Sequence, residues 1–136
     1  MFEFGKISIT KLITVHPKLR EVCNLAIIIS NQDFSIIEGY RSVERQQILY
    51  KQGRTEPGKI VTKIDGIKKK SKHNYIPSLA VDVAPYVDGQ IVWDLKYYPS
   101  IIEAFKTASK ELGIKISCGA DWTGDFVDAP HIELVV

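Results

Sequence analysis

The sequence predicts a single α+β domain, a mainly antiparallel sheet flanked by about three helices. Three observations carry this. At 136 residues the chain is the size of one domain around one core. Its helix-like and strand-like segments follow in the order helix, strand, helix, strand, helix, strand, strand. The stretches between strands do not all supply the regular crossover helices that a parallel sheet requires.

Taken in order, Pro17 suits a first helical turn, and Leu19, Val22, Cys23, Ala26 and Ile27 then recur at helical spacing, with the helix ending near Ser30-Asn31. Phe34-Ser35-Ile36-Ile37-Glu38-Gly39-Tyr40 reads as a strand, rich in aromatic and β-branched residues. Ser42 can cap a second helix that runs to about Gln52, with Gly53 as its stop. Residues 54–72 are rich in Gly, Lys and Thr and have no clear period; they read as a long surface loop with a short strand at 59–62. A strand is expected at 79–84. Asp88-Gly89 then makes the turn of a hairpin into Gln90-Ile91-Val92-Trp93. Pro99 opens a third helix with Ile101, Phe105, Ala108 and Leu112 on one face and Gly113 closing it. The last strands are 114–118 and 131–135.

The composition, 45% hydrophobic and 25% charged, is that of an ordinary globular domain, and a net charge of +2 does not by itself point to nucleic acid. The charge is uneven, however. Lys59, Lys63, Lys68, Lys69, Lys70 and Lys72 crowd one loop with only Asp65 to offset them, which makes either a solvated loop or one that meets an anionic polymer. Cys23 and Cys118 are far apart, form no CxxC pair and fall in apolar contexts. They read as free buried thiols, consistent with synthesis in the cytoplasm. The N-terminus lacks the basic start and apolar run of a signal peptide, and no stretch is long enough to span a bilayer.

The chemistry concentrates in two segments. One holds Ser71-Lys72-His73 and, after a spacer, Ala80-Val81-Asp82-Val83-Ala84-Pro85-Tyr86. The other is Asp128-Ala129-Pro130-His131. Two imidazoles and a carboxylate make three protein ligands with one position left for water, the composition of a hydrolytic metal site, and Asp128 remains as a candidate general base. Alternation puts Asp82 among small and apolar neighbours, where a buried carboxylate needs a cation or hydrogen-bond donors. Pro130 stiffens the path from Asp128 to His131, which starts a strand. Glu133 shares His131's face; it reads as a polar residue of a C-terminal strand, with partnership to an imidazole N–H as the alternative. His16, before Pro17, reads as an exposed or helix-capping residue.

These segments together resemble the zinc peptidase family of D-alanyl-D-alanine carboxypeptidases and L-alanyl-D-glutamate endopeptidases, small phage endolysins in particular. The Ser-x-His, Ala-x-Asp and acid-x-x-His segments correspond to that family's motifs. Gly39-Tyr40-Arg41-Ser42 and Gly119-Ala120-Asp121-Trp122 are also similar to family segments, so the resemblance runs over residues 34–134. In one respect the chain departs. Many members place six residues, one a glycine, between the first histidine and the aspartate, whereas residues 74–81 make eight here and include Pro77-Ser78.

The resemblance implies a zinc site at the sheet, with His73, Asp82 and His131 as ligands, Asp128 as general base, and Arg41 binding a substrate carboxylate or stabilising the oxyanion. Ser71 and Trp122 join Arg41 as substrate contacts, with core packing an equal reading for Trp122. The implied protein is a single peptidase domain over residues 1–136 without a separate wall-binding domain. It would be made in the cytoplasm without a signal peptide, act on bacterial peptidoglycan after release, and work as a monomer, its basic loop helping it approach an anionic wall. The alternatives are a D-alanyl-D-alanine carboxypeptidase and a non-catalytic zinc-containing module that binds wall peptides. A nucleic-acid binder, suggested by the lysine loop alone, is the weakest reading.

Overall fold

Pro17 occupies the first turn of helix α2 (Pro17–Ile29), and the His16 side chain caps it by accepting the Lys18 N–H. Leu19, Val22, Cys23, Ala26 and Ile27 form its buried stripe, as their spacing predicts. Helix α3 (Val43–Lys51) is capped by Ser42, which accepts the Arg45 N–H. Helix α4 (Tyr98–Leu112) carries Pro99 in its first turn and ends at Gly113, whose φ of 66° is left-handed. Ile101, Phe105 and Ala108 are buried along it, but Leu112, expected on that face, is exposed in the last turn. A further helix, α1 (Lys6–Leu12), was not legible in the sequence. Only Ser8 and Leu12 of its seven residues are buried while Ile7 and Ile9 face solvent, so it has no helical apolar period to read. The computed structural model describes residues 1–122 and 128–136.

Strands β1 (Phe34–Glu38), β2 (Ala80–Val87), β4 (Ile116–Cys118) and β5 (His131–Leu134) form an antiparallel sheet in the order β1-β2-β5-β4. The short β3 (Gln90–Ile91) pairs with the end of β2 as a hairpin through Asp88-Gly89. Alternation divides the sheet. Phe34, Ile36, Val81, Val83, Ile132 and Leu134 join α2 and α4 in the core, where Phe34 meets Phe105 at 5.4 Å between ring centroids and Phe4 at 5.5 Å. Each such side chain contributes about 1.5–3 kcal/mol by leaving water. Cys23 and Cys118 lie in this core as free thiols.

The opposite face carries the polar residues. Glu38 pairs with Asp82 and Asp82 with His131, so three strands contribute one row; Glu133 pairs with Ala80 and Ser117 in the next row. The register shifts between Ile36 and Glu38, an irregularity of the bulge type that brings Glu38 opposite Asp82.

Among the described residues, the expected strand at 59–62 is absent. That stretch is instead tied by side chains. Gln52 Nε2 donates to the Lys59 carbonyl at 3.0 Å. The fully buried Gln46 donates to Thr62 Oγ1 at 3.1 Å and to the Ile64 carbonyl at 2.7 Å. The eight-residue spacer after His73 is closed at its base by a bond from Leu79 N–H to the Lys72 carbonyl at 3.0 Å. Its Ser78 N–H is bound by the Thr14 carbonyl, while Tyr75 and Ile76 project into solvent. No helix among the described residues is long and apolar enough to cross a membrane.

Candidate active site

His73 sits on a one-turn 3₁₀ helix (Lys72–Asn74) whose start is a reciprocal cap. Ser71 Oγ accepts the His73 N–H, and Asn74 Oδ1 accepts the Ser71 N–H at 2.8 Å. Asn74 Nδ2 also donates to the Arg41 carbonyl at 2.8 Å, and the Arg41 N–H donates to the His73 carbonyl at 2.8 Å, so this turn and the β1–α3 connection are knitted together. His73 Nδ1–H donates to the Gly39 carbonyl at 2.7 Å. A carbonyl can only accept, so the bond fixes the tautomer and leaves the Nε2 lone pair facing the site. Gly39 is also what lets the end of β1 pack against the chain leaving α1: a Cβ there would lie 2.6 Å from Thr14 Oγ1 and 2.8 Å from the Lys11 carbonyl oxygen.

His131 is oriented in the same manner from the other side. Its Nε2–H donates to Glu133 Oε1 at 2.8 Å, which turns Nδ1 inward. Asp82 lies between the two rings, its Oδ1 at 3.3 Å from His73 Nε2 and 3.6 Å from His131 Nδ1. The three ligand atoms fall within 4.8 Å of one another. Tetrahedral bonds of about 2.0–2.1 Å imply ligand–ligand edges of about 3.3–3.4 Å. Both histidine–aspartate separations are near that edge, and both imidazoles already spend their outer nitrogen on an oxygen acceptor. The donor set therefore fits a metal ion.

Arg41, nearly buried, grips the remaining oxygens. Its Nε and NH2 form a fork on the two Glu38 oxygens at 2.9 Å each, NH2 also reaches Asp82 Oδ2 at 3.0 Å, and NH1 donates to Gln46 Oε1 at 2.9 Å. Asp128 enters from the segment before β5. Its N–H donates to the Gly119 carbonyl at 3.1 Å and its carbonyl accepts the His131 N–H at 3.1 Å. Gly119 allows this contact, since a Cβ there would stand 2.0 Å from the Asp128 carbonyl oxygen. Trp122 packs its ring 5.0 Å from that of His131 and donates from Nε1 to Ser117 Oγ at 3.2 Å.

These groups line an open cleft of about 830 Å³. Arg41, Ser71 and Trp122 are on its wall with the three candidate ligands and Asp128, and Lys69, Lys70, Lys72 and Trp93 form part of its margin. The electrostatics follow from burial and pairing. Burial by itself would raise Asp82, but the electrostatic pull of His73 and the pairing with both imidazoles override it and hold the carboxyl far below the usual range. Burial opposes a charge on His131, yet its bonds to Asp82 and Glu133 raise it to about 9. Burial and the nearby Asp82 charge raise Asp128, with His131, His73 and Arg41 pulling the other way.

The structure thus gathers His73, Asp82, His131, Asp128, Arg41, Ser71 and Trp122 into one cleft. Two of these side chains already have partners within the chain. Arg41's donors are engaged by Glu38, Asp82 and Gln46, and the Ser71 hydroxyl caps the turn beneath His73. For Glu133 the structure favours the alternative of its two readings: it is the partner of His131. Glu38 and Gln46 were missed. The strand bulge hides Glu38 from alternation counting, whereas Gln46, polar on the inner face of a short helix, left a signal in its position among α3's residues.

Several known proteins resemble this chain over most of its length. The family model described as phage L-alanyl-D-glutamate peptidase matches residues 1–135. The L-alanyl-D-glutamate peptidase of Escherichia phage T5 is 37% identical over 145 residues, covering 98% of each chain. The peptidoglycan L-alanyl-D-glutamate endopeptidase CwlK of Bacillus subtilis is 39% identical over 116 residues, 76% of this chain and 61% of that one. The crystal structure of the Serratia marcescens L-Ala D-Glu endopeptidase ChiX superposes with a TM-score of 0.81 at 30% identity, covering 98% of this chain and 90% of that one.

Proposed function

This chain belongs to the family of phage L-alanyl-D-glutamate peptidases, and on that premise we propose that it is a zinc endopeptidase cutting the L-alanyl-D-glutamate bond of the peptidoglycan stem peptide. The observation that supports this most is the convergence of His73 Nε2, Asp82 Oδ1 and His131 Nδ1 in a cleft beside a second carboxylate, Asp128. In this reading His73, Asp82 and His131 hold Zn²⁺. When bound, the ion supplies Lewis acidity, making water a better nucleophile at neutral pH and polarising the scissile carbonyl.

The chain's own residues do the rest. Asp128, its affinity for protons raised by burial and Asp82, accepts the proton of the attacking water on its carboxylate and passes it to the leaving amine nitrogen of D-glutamate. Arg41 acts as a positioning residue: by holding Asp82 Oδ2 it keeps Oδ1 turned toward the two imidazoles. Gly39 and Glu133 keep those imidazoles in the tautomers that offer their inner nitrogens. Ser71 holds the His73 turn, and Trp122 walls the cleft beside His131. The working unit is a monomer acting on the wall after release from the cytoplasm.

Digestion of purified peptidoglycan, followed by mass spectrometry of the fragments, tests the reading. New L-alanine C-termini and D-glutamate N-termini are expected, lost with a chelator and restored by zinc. Asp128→Ala should keep its zinc and lose cleavage. Release of D-alanine would assign the chemistry to a carboxypeptidase instead, and a zinc-loaded, folded protein that cuts nothing would leave a wall-binding module.

A further inference from the structure

The margin of the cleft is chemically lopsided along β2. Asp82 stands in the middle of that strand. Three residues before it, Leu79 is tied to the Lys72 carbonyl; three residues after it, Pro85 accepts the Val92 N–H, next to Trp93. At about 3.3 Å per residue, the lysine margin and Trp93 are joined to the strand about 10 Å to either side of the metal row. Lys69, Lys70 and Lys72 line the cleft at the first end. Acids of the cleft and its loop are committed elsewhere: Glu133 to His131, Glu38 to Arg41, and Asp65 to the N–H groups of Ile67 and Lys68; Lys70 lies 5.2 Å over the Tyr75 ring. Lys72 is close enough to help hold Glu133 below its ordinary range. Trp93 lines the other end, with 56% of its surface exposed. A large, flat ring half exposed in the lining of a cleft offers a face on which a sugar can stack.

The proposed substrate is lopsided too. On the acyl side of the scissile bond, L-alanine hangs from an uncharged muramyl sugar. On the amine side, D-glutamate offers an α-carboxyl group that is either free or amidated, and further carboxylates follow. Resting on the endopeptidase reading, we infer that the cleft binds its substrate in one direction. The D-glutamate α-carboxylate lies toward Lys69, Lys70 and Lys72, and the muramyl sugar stacks on Trp93. The protein therefore prefers stem peptides whose D-glutamate carboxylate is free over amidated ones.

Three probes test this: a muramyl peptide with free D-glutamate, its D-isoglutamine counterpart, and the same free peptide without the sugar. The readout is the ratio of kcat/KM between pairs, with zinc content and thermal melting checked for each variant. The native protein should prefer the free carboxylate about tenfold, the scale of a few partly exposed ion pairs. In the triple variant Lys69→Ser, Lys70→Ser, Lys72→Ser that ratio should fall to about one while the sugar preference persists. In Trp93→Ala the sugar preference should vanish and the charge preference persist. A native protein indifferent to amidation overturns the inference. So does a triple variant that loses both substrates equally, because the lysines would then serve only general attraction to an anionic wall. If the native protein cleaves none of the probes, the endopeptidase reading fails. Calorimetric binding of the same probes then reads the same ratios, and equal affinities overturn the directional reading separately.

Discussion

Replacing Gly119 by alanine tests the proposed role of Asp128 while leaving every candidate ligand and Asp128 itself in the sequence. The added Cβ would lie 2.0 Å from the Asp128 carbonyl oxygen, 2.9 Å from its carbonyl carbon and 3.1 Å from its Cβ. Real contacts of this kind begin near 3.0 Å, so the two backbones must part by at least about 1 Å. The neighbour is main chain, which cannot rotate away as a side chain can, and it is held by bonds to Gly119 and His131. A displacement of about 1 Å in a catalytic group costs on the order of 100-fold in rate, and the overpacking destabilises the fold by about 1–3 kcal/mol. His73 and Asp82 are anchored elsewhere, so zinc should still bind, with affinity lowered less than tenfold. The expected pattern is a kcat about 100-fold lower on a defined L-alanyl-D-glutamate peptide, near-stoichiometric zinc, and a modestly lower Tm. Full kcat in a folded Gly119→Ala protein would refute the placement of Asp128 as the base. Loss of zinc along with activity would show that the Gly119 contact serves His131 instead.

Other consequences follow from the partners around the row. Glu133→Gln weakens the acceptor that orients His131 and should lower zinc affinity about 10- to 100-fold in a chelator competition, with unchanged affinity counting against its role. In the metal-free protein, His131 titrates near 9 against about 6.5 when unfolded. Its stabilising contribution is therefore full below about pH 6.5 and is lost as pH rises through about 9, and the melting temperature of the metal-free form should fall over that window. Zinc must displace the same proton, so its apparent affinity should rise about tenfold per pH unit up to about 9 in a pH-resolved calorimetric titration. Arg41→Lys keeps the charge but cannot fork onto Glu38 while reaching Asp82 and Gln46. A loss of about 2–3 kcal/mol in denaturant unfolding is expected, and an unchanged midpoint would show that the guanidinium geometry is dispensable.

What could be read without coordinates was whatever is local. The helical spacing of Leu19 to Ile27, the caps at Ser42 and Gly113, the Asp88-Gly89 turn and the alternation around Asp82 are written in neighbouring residues, and each appears in the fold. Helix α1 escaped because its apolar residues mostly face water, so no period marks it. The metal-type row came from residue chemistry combined with a recognised order of motifs, but the partners that orient it did not. Glu38 reaches Asp82 only through a register shift, and Gly39 acts through a carbonyl that any residue possesses. The apparent strand at 59–62 fails for the opposite reason: the Lys59 carbonyl and the Thr62 hydroxyl are satisfied by Gln52 and Gln46 rather than by another strand.

The closed base of the spacer between His73 and Asp82 has a bearing on how such a chain can be altered. Because Leu79 is bonded back to Lys72 across the neck, the separation of His73 and Asp82 along the chain is uncoupled from their separation in space, 3.3 Å between the facing side-chain atoms. Residues added beyond the neck swell outward at Ile76, which is 82% exposed, and the entropy of a longer loop grows only logarithmically with its length. The neck is thus a natural port for grafting. A reporter dye, an affinity peptide or a surface-targeting segment inserted at Ile76 would be carried on the same hairpin as a candidate ligand while leaving the row across β1, β2 and β5 undisturbed.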